Sequence, residues 1–370
     1  MRINQFEFNL RELAGSLGDF GTFLPLAVGY IAINGMNPAG LLIMMGLVNI
    51  VTGIVYKVPM PLQPKKAIAA VAISQKWPPS LIYASGFSTG IFWLLLASIG
   101  LIDKIVRLTP HCVIRAIQLT LGILLIIKGI QLMSGGLVLG IISILIVLIF
   151  RENKYAPAAI ILMVLGIVII GVQGKLSPAV QIGFSLPPIT FFTFKEIWKG
   201  FILAGFTQIF LTLSNAVIAT AALIKEYWPD KAVEEKKLAL NMGIMNTVVP
   251  FFGGMPMCHG AGGLAGQYYY GARTGGTNII EGVIEISLGL FLSQSIQDLF
   301  SSFPMSIVGA MMILVGIELA KFIKDTRGKG DIAILIIVTA LSLFTNIGVG
   351  FLSGIILYQL LKKFKVININ

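Results

Sequence analysis

Apolar segments, each close to the ~20 residues that carry a helix across a bilayer, succeed one another along almost the whole chain. Short breaks of Gly, Pro, Asn and charged residues separate them. Fourteen are predicted, at about 12–33, 39–56, 58–75, 80–102, 112–132, 135–150, 156–172, 197–224, 238–254, 255–271, 276–294, 304–322, 331–346 and 347–361. Those at 135–150, 331–346 and 347–361 are short. Those at 58–75 and 255–271 are interrupted by Pro, Gly and polar residues. The pattern predicts an all-α polytopic membrane protein of about 14 spans. A count of twelve stays open, with one broken segment re-entrant.

Composition agrees. Hydrophobic residues make up 56% and charged residues 12% of the 370-residue chain, where a soluble domain carries about 25% charged residues. No long polar segment occurs, so no soluble domain is expected. The N-terminal "MRINQFEFNLRELAG" lacks the apolar core and cleavage site of a signal peptide. The formal charge of +11 is read as a positive-inside bias, not as a footprint for nucleic acid. With both termini cytoplasmic and the chain in the cell membrane, the inside ends collect twenty of the 27 Lys and Arg. The outside loops and nearby span ends hold Lys76, Lys128, Lys175, Lys195 and Lys199, and the hairpins "NGMNP", "MSGG" and "TNIGVG" carry no charge. Cys112 and Cys258 lie in or near apolar spans. Their His111 and His259 neighbours are too sparse a ligand set for zinc, so neither metal nor cofactor is expected.

Fourteen spans divide into seven and seven, 1–172 and 197–370, with 173–196 as an outside linker. An odd number of spans per half gives the halves opposite orientation. The two broken segments then fall at matching places, as "VPMPLQPKKAIAA" in span 3 and "GGMPMCHGAGGLAG" in span 10. Each has Met-Pro, a short extended run, then a helix-compatible stretch of small residues. Paired interruptions in two inverted halves are the best sequence pointer to a transporter's substrate site. Pro59, Pro61, Pro64 and Pro256 prevent continuous helices. The runs 60–63 and 254–258 should therefore be extended and opposed, with helices beginning near Pro64 and His259. A helix starting within the membrane leaves about four N–H groups unpaired and roughly half a positive charge at its end. Two such ends facing each other suit an anion. A pair of proline kinks with small residues for helix packing is the plainer alternative.

Other polar residues interrupt the apolar segments. Lys65 and Lys66 point about 100° apart on a helix, so one can face a ligand and the other a polar interior or carboxylate. Both could instead snorkel to the inner surface. Asp19 lies among Gly15, Gly18 and Gly21 in span 1 and could pair with Lys65 or Lys66, titrate, or do both in turn. Gln208, Thr212, Ser214 and Asn215 in span 8 offer hydrogen bonds to a ligand or between helices. Glu281 and Glu285 share a face of span 11 and could pair with Arg273 or titrate. His259 could donate to an anion or cap the span-10 helix.

At these residues the chain resembles the molybdate transporter family, a branch related to the SulP sulfate permeases. The resemblance rests on "GDFGTFLP", "PMPLQPKKAIAAVAI", "LTLSNAVIA" and "MPMCHGAGGLAGQYYYGARTGG" and extends over nearly the whole chain. Two positions depart from the family pattern. Lys65 stands where the family often has Met, and Tyr269 stands where it has Arg, which leaves Arg273 as the nearest basic residue. The resemblance implies a core of spans 1–4 and 8–11 and a gate of spans 5–7 and 12–14. It also implies elevator-like movement of the core and a tetrahedral oxyanion as substrate.

These readings converge on a secondary transporter of molybdate, with sulfate or tungstate as alternatives. The substrate-binding candidates are Gln63, Pro64, Lys65, Lys66, Cys258, His259, Gly260, Ala261, Gly262, Ser214, Asn215 and Thr22. Asp19, Glu281 and Glu285 are the coupling candidates. No P-loop is present, so ATP is not the direct energy source. Protons would serve, because an anion entering against a negative-inside potential costs about 2.3 kcal/mol per charge per 100 mV. The expected partners are the oxyanion, protons and the lipid bilayer, with room for a homodimer. An anion channel is the rival from another class. A nucleobase permease would want a carboxylate in span 8 or 10, and neither span has one. No nucleophile–base constellation points to an enzyme.

Overall fold

The computed structural model describes residues 2–3, 5–100, 110–150, 158–175 and 181–363. Each of the fourteen apolar segments carries helix. The first holds α1 (Leu10–Ser16) and α2 (Phe20–Ala32), separated by a tight turn at Leu17–Asp19. Then come α3 (Pro38–Tyr56), α4 (Lys66–Gln75), α5 (Pro79–Ile99), α6 (His111–Met133), α7 (Leu137–Phe150) and α8 (Ala158–Val172). The second half holds α9 (Phe194–Tyr227), α10 (Glu235–Val248), α11 (Ala261–Tyr270), α12 (Gly276–Phe291) and α13 (Ser293–Ser301). It ends with α14 (Met305–Ala320), α15 (Lys329–Phe344) and α16 (Ile347–Lys363).

Local chemistry sets several of these boundaries. Proline opens α3 and α5, where its missing N–H costs nothing, and the Asn37 side chain caps α3 at Gly40. Both helices end on a left-handed residue, Lys57 and Gly100. A reciprocal capping box between Thr193 and Glu196 starts α9. Within α9 the backbone widens to π turns at Phe201–Gly205 and Thr212–Ala219, the second spanning Ser214 and Asn215. Such widening frequently accompanies functional sites.

By length and composition, α3, α5, α6, α9 and Met305–Asp325 suffice to cross a membrane, and α12 with α13 makes a sixth if that pair, bent by 80°, is one span. The bend was not expected from sequence; neither was the small N-terminal pair of β1 (Arg2–Ile3) and β2 (Phe6–Glu7). The principal helix contacts run α6 to α14, α3 to α12 and α5 to α10. Glycines permit the close crossings. A Cβ on Gly122 would lie 2.6 Å from the Gly316 carbonyl oxygen, and one on Gly46 would lie 2.5 Å from that of Gly282. Backbone-to-backbone approach of this kind is how apolar helices associate where no hydrophobic force separates them from lipid.

Polarity is distributed inside out. Val138, Ile141, Leu148, Ile149, Val164 and Val168 are exposed on α7 and α8, whereas Glu12, Asn49, Gln118, Gln208, Asn246 and Asn278 are buried. An exterior of this kind suits hydrocarbon, and the buried polar groups need partners within the protein.

Candidate functional site

The two interrupted segments meet. Gln63–Pro64 (β3) and Met257–Cys258 (β4) pair antiparallel, with Gln63 opposite Cys258 and Pro64 opposite Met257. The Lys65 amide continues the pairing by donating to the Pro256 carbonyl at 2.9 Å. Lys65 and Gly260 remain extended, so α4 and α11 begin at Lys66 and Ala261, near the expected Pro64 and His259 and two residues after each.

Two asparagines hold the extended runs. Asn278 of α12 donates to the Met60 carbonyl at 2.6 Å and accepts from its amide at 2.8 Å. Asn246 of α10 does the same to Met257, at 2.8 and 2.9 Å. Each clamp replaces the ladder partner that a lone strand lacks. His259 adds a third tie, with Nδ1 3.1 Å from the Pro61 carbonyl and Nε2 2.9 Å from Oδ1 of Asn241. The Pro61 oxygen can only accept, so Nδ1 donates to it, and Nε2 of the neutral ring then accepts from the Asn241 side-chain amide with that amide's oxygen and nitrogen exchanged. His259 is fully buried in this role and does not line the cavity described next.

Both short helices open onto one cavity of about 200 Å³. Their first turns contribute Lys66, Gly262 and Gly263, and the first segment adds Asp19 and Thr22, with Gln63 between them. Asp19 Oδ1 accepts from Gln63 Nε2 at 2.5 Å. Asp19 Oδ2 and Gln63 Oε1 are buried without a partner among the described residues. Orphaned buried polar atoms at a cavity wall call for a proton, water or ligand. On α4, Gln208 takes the Ala67 amide at 2.7 Å, whereas no N-cap side chain bonds the start of α11. The dipole ends of two helices and Lys66 favour negative charge in this cavity, while Asp19 and Glu318 place two carboxylates on the same wall.

The adjacent lysines separate as their helical spacing requires. Lys66 is half-buried and lines the cavity. Lys65 is fully buried and its Nζ meets Thr89 Oγ1 of α5 at 2.5 Å. Neither appears in an ion pair with Asp19 among the described residues. Pro64 and Cys258 form the strand spine, and Gly260 packs against Gln63. Ser214, Asn215 and Ala261 line a neighbouring cavity of about 490 Å³, and Gly262 borders both.

Glu281 and Glu285 lie elsewhere, in an apolar cavity of about 290 Å³ lined also by Phe20, Phe23 and Phe300. The pairing with Arg273 that the sequence left open is not made among the described residues. Asn49 donates to Glu285 Oε2 at 2.8 Å. Arg273 instead stacks on Tyr268, 3.8 Å from the ring centroid, and donates to the Tyr268 and Ala272 carbonyls. Sequence reasoning passed over Asn246, Asn278 and Asn241. Their signal was available, since a lone Asn inside an apolar helix needs a buried partner.

Two glycines here have opposite surroundings. A Cβ on Gly263 would meet Gln63 Nε2 at 2.5 Å and the Asp19 carboxyl carbon at 2.8 Å, whereas one on Gly262 would meet nothing within 4 Å. Gly263→Ala is expected to displace the Asp19–Gln63 bond and lower thermal stability. Gly262→Ala should fold normally and weaken anion binding severalfold by occupying the cavity. Melting curves and titrations on the purified variants check both; equal melting losses would refute the distinction.

Residues 11–125 and 200–319 match the family described as "Molybdate transporter of MFS superfamily". The chain is 31% identical over 407 residues to Molybdate transporter 2 of Arabidopsis thaliana, covering 95% of this chain and 87% of the relative. It is 30% identical over 405 residues to Molybdate transporter 1 of the same plant, covering 96% and 89%. Among solved structures it is similar to the murine Slc26a9 anion transporter in the inward-facing state, with a TM-score of 0.74 and 14% identity over 99% of this chain and 70% of that one. This likeness shows the fold that the chain shares with Slc26a9.

Proposed function

Because the chain belongs to the molybdate transporter family, we propose that it is a secondary active carrier of a tetrahedral oxyanion, molybdate first, with tungstate or sulfate as alternatives in the same site. It is a multi-pass membrane protein, and we place it in the cell membrane with both termini cytoplasmic. The observation that carries the proposal is the junction of β3 and β4, which turns the first turns of α4 and α11 toward one cavity beside Lys66. Backbone amides at helix ends supply fixed donors to oxyanion oxygens, and Lys66 supplies charge. Gly262 leaves room for the ligand to approach the backbone.

The packing also favours a seven-plus-seven inverted repeat. Exchange of the halves converts the α3–α12 contact into the α10–α5 contact and maps the α6–α14 contact onto itself. The core of spans 1–4 and 8–11 and the gate of spans 5–7 and 12–14 follow from that division, and elevator-like movement of core against gate would carry the site across the membrane. Proton coupling fits the position of Asp19 on the cavity wall.

Competition binding to the purified protein tests the substrate. Molybdate should displace labelled molybdate with a lower dissociation constant than sulfate, and chloride should not compete at equal concentration. A chloride affinity equal to that of molybdate would refute the oxyanion assignment. Concentrative uptake into proteoliposomes separates a carrier from a channel.

A further inference from the structure

The cavity of about 490 Å³ lies between α6, α9 and the turn that follows α14, and its chemistry differs from that of the Asp19–Lys66 site. Arg115, Gln118, Ser214, Asn215, Gly262 and Phe322 line it. Gly262 and Phe322 also line the smaller cavity, so the two share a wall and a junction.

Arg115 is only partly satisfied. Its Nη2 meets Asp325 Oδ2 at 2.7 Å and its Nη1 donates to Gln118 Oε1 at 2.9 Å. Its Nε is buried with no partner among the described residues. The Phe322 ring lies 5.1 Å from the guanidinium carbon. A guanidinium presents its donors as a rigid fork that matches two oxygens of one anion. Here one arm is held by a carboxylate whose side chain is 58% exposed. An ion pair with so wet a partner is held weakly. Asp325 thus holds one arm of Arg115 for which an anion in the cavity would compete, and the cavity also presents Ser214 and Asn215.

We propose that this cavity is a second oxyanion station, reached before the Asp19–Lys66 cavity, in which Arg115 exchanges Asp325 for two oxygens of a tetrahedral oxyanion. The proposal rests on the transporter reading above. Phe322, packed on Arg115 at the junction, then separates the two stations, and rearrangement of its turn opens passage past Gly262. The bland alternative is a structural tie between α6 and the end of α14, and the two accounts differ in sign. As a competitor for Arg115, Asp325 opposes anion binding. As a structural partner, it supports the same state as Arg115 does.

The test is molybdate transport in proteoliposomes of fixed orientation, with molybdate presented on either face of the wild type, Arg115→Gln, Arg115→Lys and Asp325→Asn. On the Arg115 face, Arg115→Gln should raise KM at least fivefold with kcat changed less than twofold. Asp325→Asn should lower KM twofold or more, and Arg115→Lys should fall between Arg115→Gln and wild type. Melting temperatures of Arg115→Gln and Asp325→Asn should fall together, since both lose the same pair, while their KM values move apart. KM shifts of the same sign in both variants would overturn the station and leave the transporter reading intact. A wild type that neither binds nor carries molybdate, tungstate or sulfate would overturn the transporter reading, and the station with it.

Discussion

Lys66→Met should weaken molybdate binding by at least about tenfold, while Lys65→Met leaves it within about twofold. Two adjacent lysines of equal charge are expected to differ in role because of where α4 begins. Its first residue, Lys66, faces the cavity with Asp19 and Gly262. Lys65, one position earlier and still extended, points into the protein against Thr89. A unit charge pair about 4 Å apart interacts by about 4 kcal/mol at an effective dielectric constant near 20. Losing even part of that interaction with a dianion exceeds the roughly 1.4 kcal/mol that makes a tenfold change. Lys65 reaches the anion less directly, and Met matches its length in a dry environment while leaving Thr89 its bond to the Gly86 carbonyl. Isothermal titration of molybdate into both purified variants decides the matter. Equal losses would mean that both lysines serve the anion, or that neither does.

Asp19→Asn should abolish pH-driven accumulation while preserving the fold and molybdate binding. A dianion entering against a negative-inside potential of 100 mV faces about 4.6 kcal/mol, at about 2.3 per charge. Co-transported protons remove that opposition. Asp19 is placed to carry one, since Oδ2 is unpartnered at the wall of the cavity that Lys66 also lines. Its negative charge would repel the substrate, and protonation relieves the repulsion. The amide of the variant can still accept from Gln63 through Oδ1, so the local geometry survives. It cannot titrate, and its neutral state should bind the anion at least as tightly as wild type. Uptake into proteoliposomes under an imposed pH gradient checks this. Unchanged pH dependence would remove Asp19 from the coupling role and turn attention to Glu281 and Glu285, which occupy the separate apolar cavity.

Much of the site was legible because the membrane makes exceptions conspicuous. Pro59, Pro61, Pro64 and Pro256 cannot lie within regular helix, and in an apolar chain their recurrence in two halves marks the break. The opposition of the two extended runs followed from that. The exact first residue of α4 did not, because the Lys65 amide bonds the other strand, a contact with no local sequence sign. His259 at the break suggested a ligand donor, yet the fold spends both ring nitrogens on Pro61 and Asn241.

By itself the sequence determined the class of the molecule, the segments that become helix and the two places where helix fails. These are properties of hydrophobic length and of proline's missing N–H, which act over a few residues. Only the tertiary structure decided which of Lys65 and Lys66 meets the cavity, that Glu281 and Glu285 line a different cavity from Asp19, and that Asn278 and Asn246 hold the extended runs. Those outcomes depend on which helix faces which. That is set by glycine-mediated crossings between segments more than a hundred residues apart in the chain, such as Gly122 with Gly316.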